Sequence, residues 1–98
     1  MSATKTRLSP KTETDTAFDP RWRVTVHNDP VNLMQYVTLV FKKVLAMNDE
    51  DATRHMMEVH TLGHSVVWSG PREPAEHRVH ELQTWHLKAT LDADDAHA

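Results

Sequence analysis

Between Trp22 and Val44 the spacing of apolar side chains changes from every second residue to every third or fourth. Asn28-Asp29-Pro30 stands at the change. Trp22, Val24 and Val26 alternate with Arg23, Thr25 and His27, the pattern of a half-buried strand rich in β-branched residues. Asn and Asp favour turns and proline cannot donate to a β-ladder, so the strand ends there. Asn32, with Gln35 three residues on, reads as the N-cap of a helix, and Leu33, Val37, Val40 and Val44 line one helical face. Met34, Phe41 and Leu45 follow its edge, and the helix is expected to reach Ala46 or Met47. A chain that passes so directly from strand to helix is restricted to folds in which helices pack on a sheet.

The rest of the chain supplies the partners. Asn48-Asp49-Glu50-Asp51 is a second helix start, a cap followed by acids that suit the positive end of the helix dipole. Ala52, Met56 and Val59 form its buried stripe, His60 lies at the stripe's edge, and Gly63 is placed to end the helix. Ser65–Ser69 is a short apolar run that reads as a second strand. Pro74 suits the first position of a third helix, with Ala75, Val79 and Leu82 inward. Leu87, Ala89 and Leu91 alternate with polar residues in a third strand. The expectation is an α+β fold: one small domain, β-α-α-β-α-β, with a three-stranded, mostly antiparallel sheet packed against three helices. Strand order does not follow from the pattern.

Residues 1–20 are Thr-rich, poor in apolar side chains and interrupted by Pro10 and Pro20, so they are read as a flexible arm with Phe18 as its one anchor. Residues 21–92 are the folding core, and 93–98 a disordered acidic tail. The formal charge of −3 argues against a nucleic-acid partner. No apolar run approaches the roughly 20 residues of a membrane span, and the N-terminus lacks a secretory apolar block. A cytoplasmic location is expected. With no cysteine there is neither a disulfide framework nor a thiol nucleophile.

Eight histidines, among them His55, His60, His64 and the pair His77-x-x-His80, raise the alternative of a His-rich metal-binding regulator or metal-dependent enzyme. Three convergent ligands cannot be named from the spacing, however, and Gly63 separates His60 from His64. No Ser-His-Asp arrangement or Gly-rich phosphate loop stands out. Asn28 and Asp29 can serve a turn, and Met34, Met56 and Met57 a core. The turn nevertheless exposes an amide and a carboxylate beside an apolar helix face, which suits an ammonium group attached to an apolar side chain.

Taken together, Val26-His27-Asn28-Asp29, Met34-x-x-Val37 and Ala52-Thr53-x-x-Met56-x-x-Val59-His60-x-x-Gly63 resemble the ClpS family in order and spacing. The resemblance covers Arg23 to Asp92. It implies an adaptor rather than an enzyme, without a cofactor, that delivers N-degron substrates to a Clp AAA+ unfoldase for degradation by ClpP. By the family's pattern Asn28, Asp29 and His60 would bind the free α-amino group of the cargo. Val26, Met34, Val37, Met56, Val59 and Leu87 would line the pocket for its first side chain. Met34 stands at the family's gatekeeper position, which implies cargo beginning with Leu, Phe, Tyr or Trp. Glu73 and Arg78 match the unfoldase-facing positions, the partner being the N-terminal domain of an unfoldase of the ClpA or ClpC type. Two departures stand out: Pro30 replaces a second acidic residue that many members carry, and the third helix is short before Leu87.

Overall fold

The computed structural model describes residues 21–93, so the arm at 1–20 and residues 94–98 lie outside it. Three strands, β1 (Trp22–His27), β2 (His64–Gly70) and β3 (Lys88–Ala93), form one sheet in the order β2-β1-β3. Both pairings are antiparallel, and β1 takes the centre. The helices are α1 (Met34–Val44), α2 (Asp49–Leu62) and α3 (Arg72–Thr84), in the expected β-α-α-β-α-β sequence. One cluster of buried side chains joins Val24 and Val26 of β1 with Val40 and Phe41 of α1, Ala52, Met56 and Val59 of α2, and Ala75, Val79 and Leu82 of α3. The helices therefore share a single core on one face of the sheet.

Several local details depart from the sequence pattern. Thr25 is buried like its neighbours Val24 and Val26, because the central strand is flanked on both sides. The ladder slips between Val24 and Thr25, where Trp68 and Val66 are the partners and Val67 is the extra residue of a bulge. Val67 and Trp68 are thus consecutive yet both pack on the core. Asn32 is not the cap of α1: Leu33 holds that place in an extended conformation, without a side-chain cap bond. Lying outside the helix, Leu33 escapes the helical period and is 68% exposed. At the other end α1 stops at Val44, short of Ala46 or Met47. Ala46 takes a left-handed φ of 55°, and the Met47 N–H turns back to the Phe41 carbonyl.

Asn48 does cap α2, its side chain accepting from the Asp51 N–H at 2.7 Å. Pro71, rather than a residue beside Pro74, caps α3, which puts Pro74 at the third helical position. Its missing N–H costs nothing there, since first-turn amides have no intrahelical acceptor. The second strand is longer than Ser65–Ser69 by one residue at each end, and Ala93, assigned above to the tail, pairs with Trp22 inside the sheet. None of the helices in the described residues is long and apolar enough to cross a membrane.

Candidate functional site

Where β1 runs out, the chain makes a tight turn whose parts hold one another. The Asn32 N–H donates to the Asp29 carbonyl at 3.0 Å, and the Val31 N–H donates to Asp29 Oδ1 at 3.0 Å. Pro30 sits second in that turn, where its fixed φ is an advantage. The residue that replaces an acid thus stiffens the loop carrying the remaining one. Asp29 Oδ1 is engaged in the turn, and the carboxylate retains further acceptor capacity, since it can accept about four hydrogen bonds.

A second tie brings α2 to the same place. Gly63 ends α2 in the left-handed conformation, φ 91°, and its N–H reaches back to the Val59 carbonyl. Its own carbonyl accepts from the Asn28 N–H at 2.9 Å. One glycine therefore fixes the last turn of α2, with His60 on it, against the turn that carries Asn28. From the other side the Asn32 amide donates to the His86 carbonyl at 3.1 Å, and the Tyr36 hydroxyl donates to the Trp85 carbonyl at 2.5 Å. These bonds draw in the α3–β3 connection and bring Leu87 with it.

The result is a pocket of ≈ 360 Å³, mouth included, lined by Val26, Met34, Val37, Met56, Val59 and Leu87 and by the polar residues His27, Asn28, Asp29, Asn32 and His60. Val26, Val37, Met56, Val59 and Leu87 are buried, whereas Asn28 and His60 are exposed and Met34 is 40% exposed. The floor is therefore apolar and the rim polar. A floor of this kind favours an apolar side chain, and a carboxylate, an amide oxygen and an imidazole nitrogen can together accept the three N–H bonds of an ammonium.

All nine residues assigned from sequence to the amino-group and apolar roles line this one pocket. His27 and Asn32 line it too and were missed. The alternation of β1 directs the His27 side chain to the outer face, where Nε2 lies 2.8 Å from Thr90 Oγ1, and the spacing of Asn32 from Gln35 is that of a cap. Their signal was position alone, on either side of the Asn28–Asp29 turn. Glu73 and Arg78 are not among the lining residues. They belong to α3, where Glu73 is exposed and the Arg78 guanidinium lies 3.4 Å from Glu81 and 5.9 Å from the centre of the Trp68 ring.

The histidines are dispersed: among the described residues no three His, Cys, Asp or Glu side chains converge to hold a metal ion. His55 enters a different network, with Nδ1 2.7 Å from Ser65 Oγ, whose hydroxyl donates to Glu58 Oε1 at 2.6 Å. The single hydroxyl proton goes to Glu58, so His55 must donate through Nδ1. That is the reverse of the polarity by which a histidine activates a serine. The Ser65 bond, aided by His55 and Arg54 nearby, holds the Glu58 carboxyl below its ordinary value against an opposing effect of burial.

A family model described as "ATP-dependent Clp protease adaptor protein ClpS" matches residues 17–91. Similar proteins include the Clp protease adapter protein ClpS of Streptomyces coelicolor, 47% identical over 78% of this chain and 79% of its own. That of Corynebacterium jeikeium is 47% identical over 85% of this chain and 82% of its own. Among solved structures, Agrobacterium tumefaciens ClpS2 bound to L-phenylalaninamide superposes with a TM-score of 0.75 at 27% identity, covering 78% of this chain and 99% of that one.

Proposed function

The chain belongs to the ClpS family, adaptors of the ATP-dependent Clp protease and not enzymes, and from that premise we propose that its pocket holds the first residue of N-degron cargo. The observation that carries this reading is the convergence of three separated stretches on one pocket with a polar rim and an apolar floor. Asn28, Asp29 and His60 receive the cargo's α-ammonium, and Val26, Met34, Val37, Met56, Val59 and Leu87 surround its side chain. L-Phenylalaninamide, the ligand of the Agrobacterium relative, carries both a free α-amino group and a benzyl side chain. Cargo beginning with Leu, Phe, Tyr or Trp fits this chemistry.

The magnitudes suit an adaptor that must release what it binds. Hydrogen bonds to a charged group contribute about 1.5–3 kcal/mol each, and burying a Leu or Phe side chain about 1.5–3 kcal/mol. After ordering costs, affinities near micromolar, about −8 kcal/mol, are within reach. The delivery partner is the N-terminal domain of a Clp unfoldase of the ClpA or ClpC type, met through Glu73 and Arg78 on α3. The work is done in the cytoplasm, where the ATP that drives such an unfoldase is found.

A peptide series varied only at its first residue, with free and acetylated amines, tests the reading by titration calorimetry. Free-amine Leu and aromatic peptides should bind and their acetylated forms should not, because acetylation removes the charge and two of the three donors. Asp29→Ala and His60→Ala should each weaken binding about tenfold, the loss of one charge-assisted bond. Equal affinity for free and blocked amines would overturn the proposal.

A further inference from the structure

The apolar wall of the pocket continues past its rim. Met34 and Met56 are shared with a second, open depression of ≈ 1050 Å³, lined also by Gln35, Thr38, Leu39 and Lys42, that follows α1 away from the mouth. Two of its three polar side chains are already engaged within the protein. The Thr38 hydroxyl donates to the Met34 carbonyl at 3.1 Å, and Lys42 Nζ donates to Asp49 Oδ1 at 2.5 Å. Met34 and Leu39, 40% and 42% exposed, offer the apolar surface. A different depression, lined by Val31, Asn32, Leu33, Tyr36 and His86, shares only Asn32 with the pocket, and the Asn32 amide is bonded to His86.

We propose that the groove along α1 is a second cargo subsite that takes the side chain of the third residue, with a preference for apolar types. This rests on the reading of the pocket as the seat of the first residue. Continuity argues for the cargo itself as occupant, since a chain leaving the pocket past Met34 and Met56 is already in the groove. The choice of position follows from strand geometry. In an extended peptide, side chains one and three point the same way, and two points opposite. With the first side chain directed into the pocket, the third also faces the protein, about 6.6 Å further on. Along α1 that distance is four to five residues at about 1.5 Å each, which leads from Met34 to Thr38 and Leu39.

Fluorescence anisotropy with free-amine peptides Phe-Ala-X-Ser-Lys tests this, X being Leu, Ala, Ser or Asp, beside a set varied at position two instead. Leu at position three should bind about five- to tenfold tighter than Ser, the effect of partly burying one leucine. Position two should matter less. Leu39→Ser, at an exposed site, should erase the preference while leaving the affinity for Phe-Ala-Ser-Ser-Lys unchanged, and Leu33→Ser in the other depression should preserve it. Indifference to X in the unaltered protein, a preference that survives Leu39→Ser, or one lost in Leu33→Ser would each overturn the subsite while leaving the pocket reading intact. Failure of every free-amine peptide to bind would overturn both.

Discussion

Met34 belongs to both the pocket and the groove, and it is the residue at which selectivity is expected to change most for the least structural damage. It stands at the rim and is partly exposed, so shortening it opens the entrance without excavating the core. Met34→Ala should let N-terminal Ile and Val bind, measured as a Kd that approaches that of Leu peptides, with a melting temperature close to that of the unaltered protein. Continued exclusion of Ile and Val would place the gate elsewhere. Gly63 is the opposite kind of residue. A Cβ added there meets nothing within 4 Å, so its cost is confined to the backbone at φ +91°. Gly63→Ala should destabilise by about 1–2 kcal/mol in urea unfolding, and Gly63→Asn by less, since Asn tolerates the left-handed region. An Ala variant as stable as the parent would show that the helix end is not held in that conformation.

At the scale of elements, α2 is fixed to β2 by polar as well as apolar contacts. Ser65, buried in β2, bonds both His55 and Glu58 on α2, and Phe41 of α1 meets the His55 ring edge-on. This network is sensitive to acid. The folded state lowers the Glu58 value below its ordinary 4.5, so the stability it contributes is fully present above that pH and fades as the pH falls through the lowered value. Glu58→Gln keeps an acceptor for Ser65 but removes the titration. The variant should be less stable than the parent near about pH 7 and should approach it near about pH 3. Urea midpoints at the two pH values check this, and a constant difference would contradict it. The exposed pair Lys42–Asp49, by contrast, joins the end of α1 to the start of α2 with little expected effect, since solvent and salt screen it.

On the scale of the whole molecule, the pocket and the residues assigned to the unfoldase lie on different elements: the pocket is built from β1, α1, α2 and Leu87, whereas Glu73 and Arg78 are on α3. Binding and delivery should therefore separate. Glu73→Lys with Arg78→Glu should leave peptide affinity unchanged and slow degradation of a Phe-tagged substrate by a reconstituted Clp protease. Undiminished degradation would contradict the assigned contact surface. The elements themselves were legible because they follow from local chemistry: alternation marks β1, Asn48 and its acids begin α2, and Gly63 ends it. Most of the site was legible only through the joint spacing of Asn28-Asp29, Met34 and Met56-x-x-Val59-His60, since each residue alone has an ordinary structural use. Three things needed the tertiary structure. The sheet order β2-β1-β3 depends on long-range pairing, which no local pattern encodes. Asn32 left the cap for His86, 54 residues away, and the His27 ring found its partner on the outer face in Thr90, 63 residues away. The chain's own order could establish which groups are available near the turn; only packing across β1, α2 and the α3–β3 connection could decide that they enclose a common space.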